Sequence, residues 1–281
     1  MRPAPLPATP ARPFDFSYVD TLPHQDVDGC RLYLGKPATP PPAAQPRLLF
    51  VPGAYHGAWC YANYLQYCDE HGIACAAVDL AGHGALAPDP GLLRLTVPDL
   101  ARQVLAAFDA LPGPTVLVGH SLGALLVAWC ATQRTPAGLI LLAPSPPGNL
   151  PGAKALPPKP VDQVCAPPAD EEIRSRFAGT PEDADVSAIV ARLCDESPGV
   201  LNDRYLLRVP VDPGRQRAPG LCIEAGRDTA GRHPEGQDRA VADFLGLDCQ
   251  RLDDAPHCMM YAAGWERSMA AIHTWFRSTF N

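Results

Sequence analysis

Apolar and polar positions along this chain follow two periods in turn. Short unbroken apolar runs, "RLLFVPG" (47–53), "IACAAVDL" (73–80), "PTVLVG" (114–119), "AGLILLAP" (137–144) and "GLCIEAG" (220–226), have the length of buried strands. Between them the apolar residues recur at helical spacing. "YANYLQYCDEHG" (61–72) predicts a helix that ends at Gly72, and Leu100, Val104, Leu105, Phe108 and Leu111 mark another. Thr96-Val97-Pro98-Asp99 has the form of a capping box in front of that helix. "LGALLVAWCATQR" (122–134) and "GQDRAVADFLG" (236–246) continue the pattern, and "LDCQRLDD" (247–254) adds a further strand. The last helix carries Trp265, Met269, Ile272 and Phe276 on one face. Strands that alternate with helices imply an α/β chain with a mostly parallel central sheet covered by helices on both sides.

Two regions depart from this rhythm. Near the start, "FDFSYVD" (14–20) and "CRLYLGKP" (30–37) flank a polar turn at Val27-Asp28-Gly29 and read as a β-hairpin. Residues 148–217 open with a Pro/Gly-rich stretch and continue with charged, helix-like pieces such as "DADVSAIVARLCDE". The sheet pattern resumes after them, so they are expected to form an inserted helical cap. The expected organisation is a Pro-rich tail over 1–13, a core over 14–147 and 218–281, and the cap over 148–217.

Composition narrows the range of functions. With 281 residues, 47% of them apolar, the chain can bury a full core. The net charge of −7 comes without any block of like charges, so no nucleic-acid or anionic-membrane footprint is visible. No apolar run reaches the roughly 20 residues of a membrane span. The start has arginines but no apolar signal core, and the ten cysteines include no Cys-x-x-Cys pair. Free buried thiols and a cytoplasmic location are the expectation, with no metal and no cofactor. A homodimer is left open.

The chemistry is concentrated at "VLVGHSLGAL" (116–125), where a strand becomes a helix. Gly119-His120-Ser121-Leu122-Gly123 is a Gly-x-Ser-x-Gly elbow in the strand–helix context the motif requires. A serine hydroxyl needs a base, and in this arrangement the acid and the histidine follow the serine in the chain. "CIEAGRDTAGRHP" (222–234) supplies Asp228 after a core strand, and "LDDAPHCMM" (252–260) supplies His257 before the last helix. Asp253, Asp254 and His233 are the rivals. The oxyanion of an acyl-transfer intermediate needs fixed N–H donors; Leu122 and Ala54, the latter in "VPGAYHG" (51–57), are placed to offer them. Tyr55, His56, Trp59, Ser145 and Met259 are candidates for the pocket wall.

Together these features resemble the α/β-hydrolase superfamily over about residues 14–281. "PGAYHGAWCY" (52–61) is similar to a stretch found in plant methylesterases and hydroxynitrile lyases, with Pro52 where that branch usually has His. The resemblance implies a compact pocket under a helical cap and ester or cyanohydrin substrates. Lyases of the group place Thr at the position of Gly53 and Lys at that of Cys258, so the resemblance leans to the esterase side. The expected function is a serine hydrolase acting on a small or medium carboxylic ester. The alternatives are a thioesterase releasing a carrier-bound acyl chain, and a ligand receptor on the same fold that does not turn over.

Overall fold

The computed structural model describes residues 14–42, 44–231 and 233–280, so the expected tail over 1–13 lies outside the described residues. Eight strands form one sheet: β1 (His24–Val27), β2 (Cys30–Leu34), β3 (Arg47–Val51), β4 (Cys75–Asp79), β5 (Thr115–His120), β6 (Gly138–Leu142), β7 (Gly220–Ala225) and β8 (Asp248–Leu252). Their spatial order is β1-β2-β4-β3-β5-β6-β7-β8. β1–β2 and β2–β4 pair antiparallel, and all other neighbours pair parallel.

The helices are α1 (Ser17–Asp20), α2 (Ala62–Glu70), α3 (Val97–Ala110), α4 (Leu122–Cys130), α5 (Asp170–Glu172, continued by a π-helical turn over Ile173–Ala178), α6 (Ser187–Val190), α7 (Pro198–Tyr205), α8 (Gln237–Leu245) and α9 (Trp265–Phe280). The apolar runs become the central strands because both faces of the sheet are covered. Successive residues of a strand enter opposite layers. Leu48 and Phe50 of β3, Val116 and Val118 of β5, and Ile140 and Leu142 of β6 join the layer that holds Met269, Ile272 and Phe276 of α9. Leu49, Val51, Leu117, Leu139 and Leu141 join the other, against Leu100 and Val104 of α3 and Leu125 and Leu126 of α4. The capping box forms as expected: the Thr96 N–H donates to Asp99 Oδ2 at 2.9 Å and starts α3.

The amino-terminal hairpin corrects the sequence reading. It turns at Asp28-Gly29, but its first strand is His24–Val27 rather than "FDFSYVD". That segment instead holds the short α1. Phe16 and Val19, three residues apart, are both buried, and Phe16 packs on Trp59 and Tyr261 with ring centroids 4.7 and 5.6 Å away. Burial of those two side chains on one helical turn outweighs their strand propensity.

Between β6 and β7 the chain runs over the carboxyl edge of the sheet. Its helical content is small: "DADVSAIVARLCDE" contributes only the four residues of α6. Backbone hydrogen bonds tie this region to the core loops. The His257 N–H donates to the Arg176 carbonyl at 3.0 Å, Cys258 N–H to Phe177 at 3.1 Å, and Cys194 N–H to Tyr55 at 3.0 Å.

Candidate active site

Ser121 sits between β5 and α4 at φ 52° and ψ −115°, in a region L-residues rarely occupy. Backbone hydrogen bonds hold it there: its N–H donates to the Leu142 carbonyl at 2.9 Å, and its carbonyl accepts from the Ser145 N–H at 3.0 Å and the Ala124 N–H at 3.1 Å. The turn leaves no room beside it. A Cβ on Gly119 would lie 2.4 Å from the Gly123 oxygen, and one on Gly123 would lie 2.4 Å from the carbonyls of Val51 and Pro52. Glycine at both positions is therefore a steric requirement of a strand that turns this sharply into a helix.

Asp228 follows β7 and His257 precedes α9. Their side chains meet, His257 Nδ1 to Asp228 Oδ2, at 2.5 Å. The rival acids point elsewhere: Asp253 pairs with Arg251 at 2.9 Å, and Asp254 pairs with Arg267 at the surface. His233 lies behind the pair, with Nδ1 3.2 Å from Asp238 and 3.7 Å from Asp228. Asp228, His233 and His257 also form a cluster of metal-ligating type, but two of its members already hold one another.

The sequence reading did not find Arg176. Its side chain is buried, and its Nε donates to Asp228 Oδ1 at 2.8 Å. Each carboxylate oxygen of Asp228 thus has its own cationic or polar partner. Burial pushes that carboxyl up, but His257, His233 and Arg176 outweigh it and hold it well below the usual carboxylate range. Burial, and then the Arg176 charge, hold His257 below the ordinary imidazole value, so its neutral form persists into acid. No hydrogen bond joins Ser121 Oγ to His257 Nε2 among the described residues; both line the same cavity.

The loop after β3 is held by the segment between β6 and β7. Tyr55 adopts φ 68°. Its N–H donates to Glu196 Oε2 at 3.3 Å, and its carbonyl accepts from the Cys194 N–H. Glu196 is fully buried and also accepts from His83 Nε2 at 3.1 Å and the Ser197 N–H at 2.8 Å. Burial would depress His83, but the Glu196 carboxylate overrides it and raises the imidazole above its ordinary value. On the near side of this clamp, neither the Ala54 N–H nor the Leu122 N–H finds an acceptor among the described residues.

Ser121, His257, Ala54 and Leu122 line one cavity of about 550 Å³, its open mouth included. Of the candidate pocket residues, Tyr55, His56 and Ser145 line it too. Trp59 and Met259 do not. Trp59 is buried against Phe16 and His56 and borders a separate cavity near Tyr33 and Asp79, and Met259 is buried in the core beside α9. Both are large apolar side chains that the core absorbs, as their residue types favour. His56 is locked, with Nδ1 2.7 Å from the Ala54 carbonyl and Nε2 3.1 Å from the Tyr261 hydroxyl, and burial lowers it to about 4. Phe177, Arg204 and His233 complete parts of the wall that the sequence did not single out.

A serine lifted on a strand–helix elbow at the carboxyl edge of a mostly parallel, helix-covered sheet defines the class of α/β hydrolases. The chain belongs to the alpha/beta hydrolase family, whose sequence profile matches residues 48–268. The pFDCC methylesterase MES16 of Arabidopsis thaliana is 32% identical over 109 residues, which are 37% of this chain and 41% of that protein. The chain spans less than half the length of the curated relatives it matches, from 19 to 41% among five of them. The crystal structure of MES16 superposes with a TM-score of 0.65 at 22% identity, covering 82% of this chain and 98% of that one. A thermostable carboxyl esterase from Bacillus coagulans gives 0.67 at 14% identity, covering 93% and 99%. At these identities the superpositions describe a shared fold.

Proposed function

We propose that this chain is a serine hydrolase that cleaves a small or medium carboxylic ester through an acyl-enzyme at Ser121. The observation that carries the reading is the meeting of parts distant in sequence around one cavity. These are the strained Ser121, the Asp228–His257 pair, and two N–H groups that have no acceptor among the described residues. In this reading His257 Nε2 takes the Ser121 proton as Oγ attacks the acyl carbon. The Ala54 and Leu122 N–H groups receive the oxyanion, and His257 returns the proton to the departing alkoxide. Water then repeats the sequence on the acyl-enzyme. Asp228 fixes the tautomer by accepting from Nδ1.

The lyase alternative of this branch lacks support. Cyanide departure calls for a positive charge beside the histidine, and Cys258 is a buried thiol raised to about 12 by its surroundings, chiefly burial. The same family relationship and the MES16 similarity favour ester chemistry. A fluorophosphonate probe should label the protein once, at Ser121, and Ser121→Ala should abolish both labelling and hydrolysis of a short aryl ester. Labelling at Ser145, or a folded protein inert to both probe and ester, would remove this reading.

A further inference from the structure

The wall of the Ser121 cavity has an unusual charge pattern. Its lining residues include two guanidinium groups, Arg176 and Arg204, and four imidazoles, His56, His120, His233 and His257, but no Asp or Glu among the described residues. The chain as a whole carries a net charge of −7, so this collection of basic side chains in the wall does not follow from overall composition, although Arg176 is itself paired with Asp228 and lies 3.7 Å from Glu172. Three of the four imidazoles, His56, His120 and His257, are held toward their neutral form by burial. The permanently charged groups of the wall are the two arginines.

They differ in what they face. The Arg176 Nε is committed to Asp228 Oδ1, behind the histidine. Arg204, on α7 of the cap, is 7% exposed, and its Nε reaches Ser145 Oγ at 3.4 Å. Its guanidinium carbon lies 5.5 Å from the Tyr205 ring centroid. Ser145 in turn donates its N–H to the carbonyl of Ser121. Arg204 is thus one residue removed from Ser121, on the β6 side of the cavity. A permanently charged guanidinium in the wall of the cavity that Ser121 lines favours a ligand carrying negative charge, above all an oxyanion group.

Resting on the reading of Ser121 as the nucleophile, we propose that the substrate is an anionic ester, one that bears a carboxylate or similar oxyanion group besides the ester bond, with Arg204 as its recognition residue. Half-esters of dicarboxylic acids have this form, with the anion on the acyl side. O-acyl hydroxy acids have it on the alcohol side. The cavity's size limits either kind to a compact molecule.

The test compares matched pairs. Monomethyl esters of dicarboxylic acids of increasing length are assayed against methyl esters of monocarboxylic acids of equal length, with O-acyl glycolates against the corresponding ethyl esters. A sulfonate-bearing ester separates carboxylate from general oxyanion recognition. At least one anionic series should exceed its neutral counterpart in kcat/KM by about 10- to 100-fold, the worth of a hydrogen bond to a charged group. The preference should weaken with added salt. Arg204→Met should collapse that ratio to near one, acting mainly on KM, and Arg204→Lys should restore part of it. A purely structural role for Arg204 would lower both members of each pair equally and leave the ratio intact, which overturns the proposal. So would a wild-type enzyme that turns over the neutral esters as well as the anionic ones. Neither result touches the assignment of Ser121, which fails separately if neither probe nor any ester reacts.

Discussion

Glu196→Ala takes the acceptor from three buried donors at once: the Tyr55 N–H at 3.3 Å, His83 Nε2 at 3.1 Å and the Ser197 N–H at 2.8 Å. A stranded buried donor costs about 1–3 kcal/mol. The Tyr55 bond is long and water can refill part of the space, so the loss is expected at about 3–6 kcal/mol. That is a large share of the 5–15 kcal/mol typical of a whole domain, about as much as one substitution can remove. Glu196→Gln is the more informative change. It keeps the volume and one carbonyl oxygen, so the protein folds, but Tyr55 and His83 lose the shared carboxylate oxygen. Tyr55 is the residue after Ala54, and its positive φ is held through its N–H and carbonyl by the segment 194–196 between β6 and β7. In the proposed mechanism, loosening it would let the Ala54 N–H swing from the oxyanion. Outright loss of such a donor costs about 10²- to 10³-fold in kcat. A partial misalignment is expected to cost about 10-fold in kcat, with KM little changed, because the oxyanion exists only past the ground state. The assay is steady-state kinetics on one neutral ester alongside urea unfolding. His83 adds a pH signature. Its folded pKa is raised, so its pairing with Glu196 stabilises the protein below pH about 6.5 and is lost as pH rises through the folded value. Glu196→Gln should flatten that dependence. A Gln variant with wild-type kcat, together with an Ala variant of unchanged urea midpoint, would refute the clamp.

Asp228→Asn should lower kcat by about 10²- to 10⁴-fold through the wrong imidazole tautomer. Asp253→Asn and Asp254→Asn, which alter surface ion pairs, should change it little; damage from either of these would reassign the acid. The acid limb of the kcat/KM profile should fall below the ordinary imidazole value of about 6.5, since burial and Arg176 disfavour the protonated base. Arg176→Met should move that limb to higher pH, and an unmoved limb would mean the guanidinium does not act on His257. His56, lowered to about 4, stays neutral when folded while the unfolded chain takes up its proton. Stability should therefore rise with pH from about 4 to 6.5, by up to roughly 1.4 kcal/mol per pH unit for this group. His56→Gln should reduce that slope in urea titrations. Gly123→Ala forces a methyl against the carbonyls of Val51 and Pro52 and should displace the elbow, costing several kcal/mol of stability and most of the activity. A variant near wild type in both would show that the turn tolerates a side chain.

The strands, most of the helices flanking the sheet, the elbow at Ser121 and the later Asp228 and His257 were legible in the sequence because each depends on local rules. Two-sided burial needs continuous apolar runs, α9 needs a stripe at helical spacing, and an elbow this tight needs Gly119 and Gly123. Where local pattern and tertiary burial disagreed, the sequence misled. "FDFSYVD" alternates like a strand, yet Phe16 and Val19 are both buried by a helical turn, with Phe16 packed on Trp59 and Tyr261. Trp59 and Met259 read as candidates for the pocket, yet the core holds both. The charges that complete the candidate site were hidden altogether. Arg176, Glu196 and Arg204 come from the segment between β6 and β7, have no common spacing, and look like solvated residues in a charged stretch. Only the folded chain brings Arg176 to Asp228, Glu196 to Tyr55 and Arg204 to Ser145. Local sequence carries periodicity and turn chemistry. What a buried charge is paired with depends on contacts between residues 52 to 141 positions apart, and that is settled only when the segment between β6 and β7 packs against the loops of the core.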